Sequence, residues 1–342
     1  MTARRLRWIL AGCSTLFALL VGLVAAELFL GRTPAGGGDR RTEGPQVTRH
    51  DPQLGWSPRP LAQDWHETPE FRVPVRINAH GFRSDREYAF QPPPGVRRIV
   101  AVGDSFTFGH GVKVDESFPA VLERGLPGTE VVNLAVSGYG VDQQLLMLSQ
   151  RGFRYQPDVV LLGFYIPDIF RTDDLYHGRY AKPRYELRRD GELVLTNVPV
   201  PELAGPPPPP QGLARSRVYR LVQSKLEYRG FGDAWDLTEA ILKRMNEETA
   251  AAGARLVAVI IPTEQAVYGG GFDRWLQAQT TGKAAGLLRR HGIEHLDLTP
   301  VLLAEAERSG ERLYFPKDGH LTAEGHAVVG RAVVRHLAEG AE

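Results

Sequence analysis

The sequence predicts a three-layer α/β/α domain built on a five-stranded, mostly parallel sheet. Short, nearly continuous apolar runs recur from residue 96 onward, as expected of strands buried on both faces. Longer stretches of helical character separate them, and alternation of strand and helix is the pattern of a parallel sheet covered on both sides. The charge balance agrees with an ordinary globular core: 42% of residues are hydrophobic, 24% are charged and the formal net charge is +1.

Taken in order, the strand candidates are Arg97–Val102, Glu130–Leu134, Asp158–Phe164, Arg255–Ile261 and the shorter His295–Leu298. Helices are expected at about 117–125, 140–152, 233–252, 273–291, 299–308 and 322–338. An insert at about 169–215 interrupts the alternation; it carries Tyr176, Tyr180 and Tyr185 and ends in the run Pro206–Pro210, read as a stiff connector. A lid or substrate wall over the active site is a further role open to this insert, which its sequence does not by itself assign. Residues 51–95 contain short apolar pieces broken by prolines, with a partial alternation at Phe71–Ile77 that suits an edge strand or hairpin. They are expected to pack on the main domain, residues 96–342, rather than fold alone.

The N-terminus reads differently. Arg4, Arg5 and Arg7 precede an apolar run from Trp8 to about Ala26, extended by Leu28–Leu30. That is about the length needed to span a bilayer, and the basic flank favours an N-inside orientation. Residues 1–30 are therefore expected to be an uncleaved signal anchor, with 31–50 as a flexible tether and the remainder outside the cytoplasm. A signal peptide cut near Ala25 and Ala26 is the alternative. Cys13 is the single cysteine, so no intrachain disulfide forms; most of the apolar run follows it, which argues against a lipidation site. Near-zero net charge without a basic stripe argues against a nucleic-acid partner.

In a parallel α/β sheet, ligands bind beyond the carboxyl ends of the strands. Four segments are expected there: Gly103-Asp104-Ser105, Asn133 to Gly138-Tyr139-Gly140, Tyr165-Ile166-Pro167-Asp168, and Asp318-Gly319-His320. A serine becomes a competent nucleophile when a base takes its proton, and a histidine does this near neutral pH. Serine, histidine and carboxylate brought to one edge therefore point to acyl transfer. Ser105 in isolation also suits a helix N-cap, and Gly138 a simple turn.

These segments resemble the SGNH/GDSL hydrolase family over about residues 96–338, and Asn78-Ala79-His80-Gly81-Phe82-Arg83 is similar to the entry segment of its membrane-anchored bacterial members. The resemblance implies Ser105 as nucleophile, His320 as base and Asp318 as its orienting carboxylate, with the Ser105 and Gly138 amides forming the oxyanion hole. Asp104, Asn133 and Asp168 would organise the loops. His326 would pack on the last helix, and His291 and His295 read as surface or strand-end residues without a visible partner. Tyr139 and Tyr165 would line the cleft or merely pack. A metal shared by Asp168, Asp318 and His320 is the minor alternative; no cofactor or metal is expected.

Two features depart from the family pattern. Asp318 stands two residues before His320 instead of three. Pro167 stands where the family places an asparagine donor, and proline has neither a side-chain donor nor an N–H. With only two amides in the hole, a slow esterase is expected, improved by Pro167→Asn. The implied function is hydrolysis of O-acyl, chiefly acetyl, esters of envelope or extracellular carbohydrate. Acyl transfer to a sugar hydroxyl by the same triad is the first alternative. A catalytically silent carbohydrate-binding or assembly protein, motivated by Pro167, is the second.

Overall fold

The computed structural model describes residues 21–22, 25–27, 29, 46–209, 211–228 and 233–339. The chain divides into two compact units, Met1–Thr42 with Pro208–Tyr228, and Glu43–Pro207 with Arg229–Glu342. The predicted span Trp8–Leu30 and tether 31–50 lie mostly outside the described residues. Among the described residues no helix is long and apolar enough to cross a membrane. Within the smaller unit, the Glu27 carboxylate accepts from Ser216 Oγ at 2.9 Å and from the amides of Arg217 and Val218 at 2.7 and 3.0 Å. It thereby satisfies free N–H groups at the start of helix Arg217–Tyr228, which the sequence reading did not anticipate.

The larger unit opens with two hairpins, β1 (Thr48–Asp51) with β2 (Gly55–Pro58) and β3 (Gln63–Glu67) with β4 (Arg72–Arg76). The partial alternation at Phe71–Ile77 thus becomes a hairpin strand. The central strands follow as β5 (Arg97–Gly103), β6 (Thr129–Asn133) and β7 (Val159–Tyr165). The insert forms two small hairpins, β8 (Tyr176–His177) with β9 (Tyr180–Ala181) and β10 (Arg184–Leu187) with β11 (Leu193–Thr196). The chain then completes the sheet with β12 (Arg255–Ile261) and β13 (Glu294–Asp297).

The central sheet has five strands in the order β13-β12-β7-β5-β6, and every pairing is parallel. Alternate residues of one strand feed opposite cores, as a pleated strand dictates. Val100, Val102, Leu162 and Ala258 pack with helices Val141–Gln150, Asp233–Ala251 and Gly271–Arg290. Ile99, Ala101, Leu161 and Val259 pack with Phe118–Gly125, Thr299–Ser309 and Ala323–Glu339. All three layers follow from that alternation.

The strand order reverses at β5, which lies between β6 and β7. A reversal opens a crevice beyond the strand ends, and the loops after β5, β6 and β7 meet there. Gly103 and Gly163 pair across β5 and β7. A methyl group at either would come within 2.2 or 1.9 Å of Thr107 Oγ1, so these two glycines let the one-turn helix Ser105–Phe108 sit directly over the strand ends.

Candidate active site

Asp104 caps that helix: Oδ1 accepts from the Phe106 amide at 2.9 Å. Ser105 is thus held at a strand-to-helix turn. Its Oγ lies 2.8 Å from His320 Nε2, and His320 Nδ1 lies 2.6 Å from Asp318 Oδ1. The two-residue spacing of Asp318 and His320 is absorbed by the loop: Gly319 takes φ +81°, and the Phe315 amide donates to the His320 carbonyl at 2.8 Å. Glu70, from the turn between β3 and β4, receives the Asp318 amide at 2.8 Å and the Lys317 amide at 3.1 Å. The turn between β3 and β4 therefore holds the loop that carries Asp318 and His320.

Arg83 does the same for the loop that follows Ser105. Buried to 3% exposure, it donates to the carbonyls of Phe108, Gly109 and Val112, at 3.1 Å and 2.5 Å for the first and last. The Asn78–Arg83 phrase thus has a local purpose: Asn78 Oδ1 receives the amides of His80 and Phe82 at 3.1 and 2.9 Å, shaping the turn that delivers Arg83.

The sequence reading did not single out His110. Its Nε2 lies 3.3 Å from Asp318 Oδ2, so two histidines share one carboxylate. The available signal was only that a histidine follows Ser105 at the end of the same short helix. Burial, reinforced by neighbouring His320, pushes His110 down to about 3. Asp318 is held well below the usual carboxylate range: burial opposes its charge, and the hydrogen bonds from His110 and His320 outweigh that opposition. Ligating atoms of His110, Asp318 and His320 lie within 4.8 Å of one another, the grouping best able to hold a metal among the described residues. Asp168, the third ligand of the minor metal reading, is instead bonded to Gln144 Nε2 at 2.8 Å and to Arg171.

The supporting residues separate by role. Asn133 ties two loops, donating to the Thr107 carbonyl at 2.8 Å and accepting from the Ala135 amide at 3.1 Å. Asp104 Oδ2 lies 3.2 Å from Ser105 Oγ and 3.2 Å from Arg171 Nη1. Burial and the adjacent Asp104 carboxylate push Asp168 well above the usual carboxylate range. Gly138 takes φ +85°, and a methyl group there would meet His177 Nε2 at 2.5 Å, so glycine is required both by conformation and by the ring above it. Pro167 caps helix Asp168–Arg171. Tyr139 is buried and donates to the Trp56 carbonyl at 2.5 Å, while the Tyr165 ring lies 4.2 Å from that of Phe106, tilted by 30°; Tyr139 packs and does not line the cleft. His326 is buried on its helix and accepts from the Phe118 amide at 3.2 Å. His291, expected to lack a partner, pairs with Glu239 at 3.0 Å, and His295 Nδ1 lies 3.1 Å from the Ile293 carbonyl.

Beside the triad opens a cleft of about 560 Å³. One wall comes from the N-terminal segment (Gln46, Thr48, Trp56, His66), the other from the β8–β9 hairpin (His177, Arg179, Tyr180), and His110 and Ser137 contribute to its lining. Trp56 stacks with His177 at 5.6 Å and with Tyr180 at 5.5 Å, which joins the two walls.

Fold and site together define a hydrolase that acts on ester bonds. The chain belongs to the GDSL-like Lipase/Acylhydrolase family, whose sequence model matches residues 101–328. Membership places the chain in a family of hydrolytic enzymes. No curated protein matches the chain. Solved structures with a similar fold include a member of the lipolytic protein G-D-S-L family from Veillonella parvula, 12% identical over 70% of this chain and 97% of its own, with TM-score 0.43. An acetyl xylan esterase is 11% identical over 69% and 97%, with TM-score 0.42. A lipase from a goat rumen metagenome is 11% identical over 70% and 96%, with TM-score 0.46.

Proposed function

We propose that the protein is a serine ester hydrolase that acts through an acyl-enzyme on Ser105, on O-acyl esters of extracytoplasmic carbohydrate, acetyl esters first. The observation that carries the mechanism is the continuous hydrogen-bond chain Ser105 Oγ–His320 Nε2, His320 Nδ1–Asp318 Oδ1 at the edge where the strand order reverses. As Oγ attacks the ester carbonyl, its proton passes to His320 Nε2 and the carbonyl electron pair becomes the oxyanion. Collapse expels the alcohol oxygen, which takes the proton from His320. Water then loses a proton to His320 while attacking the acyl-enzyme, and the second collapse returns that proton to Ser105 and releases the acid.

Support for a carbohydrate comes from the cleft, which mixes aromatic rings with the hydrogen-bonding groups of Gln46, Thr48, Arg179 and Tyr180. A sugar presents both apolar ring faces and hydroxyls, and the lining offers partners for each. Arg4, Arg5, Arg7 and the apolar run to Leu30 support a single-pass membrane anchor of N-inside orientation, with the enzyme domain on the outer side.

The test uses the full chain purified in mild detergent. It should hydrolyse p-nitrophenyl acetate, release acetate from an O-acetylated polysaccharide and label with a fluorophosphonate. Ser105→Ala should abolish all three. Undiminished turnover in that variant would reject the mechanism.

A further inference from the structure

The oxyanion hole that Pro167 leaves short has a neighbour of opposite charge. We infer that the guanidinium of Arg171 is a catalytic residue, taking the place of the missing side-chain donor and holding the oxyanion between the Ser105 and Gly138 loops. The inference rests on the ester-hydrolysis reading and names the group that completes its site.

Three placements support it. Pro167 caps helix Asp168–Arg171, and side chains four residues apart project on one helix face; Arg171 thus rises about one turn on from the position of the missing donor. Its Nη1 lies 3.2 Å from Asp104 Oδ2, and that same oxygen lies 3.2 Å from Ser105 Oγ, so cation and nucleophile flank one atom. On its other side, the Arg171 carbonyl carbon and Cβ lie 3.2 and 3.3 Å from the point a methyl group on Gly140 would occupy. Arg171 therefore stands between the loops that bear the two amide donors.

The position is held from behind. Lys182 Nζ donates to the Arg171 carbonyl at 2.6 Å. Both carboxylates that the guanidinium touches are fully buried, yet its own side chain keeps 24% exposure, so part of the fork faces open space. Both of these bonds use Nη1, which leaves Nη2 and Nε available to an oxyanion. Arginine remains charged at every working pH and presents its donors in a fixed plane. A bland account is that Arg171 only neutralises Asp104 and Asp168. That account predicts lost stability on substitution, without any special exchange with residue 167.

Kinetics on p-nitrophenyl acetate separate the two. Full-length wild type, Arg171→Met, Arg171→Lys, Pro167→Asn and the double variant Arg171→Met/Pro167→Asn are compared, with melting temperatures alongside. Removal of one oxyanion donor costs roughly 10²–10³ in kcat, so Arg171→Met should lose that much while KM changes less than about threefold. Lysine should retain part of the loss, since it keeps charge and not the fork. Pro167→Asn should raise kcat roughly tenfold or more in the Arg171→Met background and less than about threefold in wild type. A kcat for Arg171→Met near the wild-type value overturns the inference. So does an equal gain from Pro167→Asn in both backgrounds. If Arg171→Met does not fold, the wild-type comparison still decides: a tenfold gain there means the hole was a donor short, and Arg171 does not fill it. Should wild type hydrolyse no ester, or Ser105→Ala match it, the reaction itself falls and the inference with it.

Discussion

His110 and His320 stack at 3.9 Å with their planes inclined by 22°, and each reaches a different oxygen of Asp318. Burial keeps His110 neutral to about pH 3. A neutral imidazole carries one N–H, and Nε2 is the nitrogen beside the carboxylate. It donates there and fixes the orientation in which Oδ1 faces His320. Around it stand the rings of His66 at 4.3 Å and Phe71 at 5.5 Å, which shut out water and so preserve the neutral form.

His110 thus acts as a positioning residue through Asp318. His110→Phe keeps a stacking ring and removes the donor. We expect kcat/KM to fall roughly tenfold, the scale of one hydrogen bond to a charged group at the weak end of its range. The loss should fall on kcat more than on KM, because His110 acts on the geometry of Asp318 and not on the bound ester. Steady-state kinetics and thermal melts of both proteins check it; an unchanged kcat in the folded variant would leave His110 only a packing role.

How much of this was legible in the residues follows from what each part depends on. The five strands were readable because a strand buried on both faces must be apolar throughout, as at Val100 and Leu161. Ser105, Asp318 and His320 were readable because chemistry in such folds gathers at strand ends. His110, Arg83 and Arg171 were not, since each acts through a partner distant in sequence or through a loop carbonyl, and no spacing announces such a pair. The cleft was hidden for the same reason: Trp56 and His177 come from segments on either side of the sheet's first strands. Strands as short as Tyr176–His177 carry too few residues to show a period.

A second prediction concerns acid stability. His326 is fully buried, and burial pushes it down to about 3, with the Arg83 charge adding to the effect. The unfolded chain takes up this proton near pH 6.5. Below that value the unfolded state therefore binds more protons, and stability falls with pH until the folded histidine also protonates. At about pH 5 the loss from this group is roughly 2 kcal/mol. His66 and His177, pushed to about 4 mainly by burial, act in the same direction. His326→Leu strands the Phe118 amide and should lower the melting temperature at neutral pH, yet flatten its decline between about pH 7 and pH 5. An undiminished slope in the variant would assign the loss to the other histidines.

The last prediction concerns how the insert is pinned. Lys182 and Asp142 form an ion pair at 2.6 Å with side chains 1% and 0% exposed. Lys182 Nζ also donates to the carbonyls of Arg171 at 2.6 Å and Thr172 at 3.5 Å. One ammonium thus ties helix Val141–Gln150, helix Asp168–Arg171 and the segment after β9. Burial pushes Asp142 up, and the Lys182 charge offsets only part of that push. Lys182→Met leaves Asp142 buried without its counterion, which costs about 3–5 kcal/mol. A carboxyl whose folded pKa rises above the unfolded value loses stability as pH rises through that window, so this variant should be least handicapped in mild acid. Lys182→Met/Asp142→Leu removes the stranded charge and should recover at least half of the drop in melting temperature caused by Lys182→Met. It does not restore the donor to the Arg171 carbonyl. We therefore expect kcat on p-nitrophenyl acetate to remain depressed in the double variant, while its stability returns. Thermal melts and kinetics on the same three proteins decide it. If stability and kcat recover together, Lys182 serves the fold alone, and the link from the insert through Arg171 to Ser105 is not made by this residue.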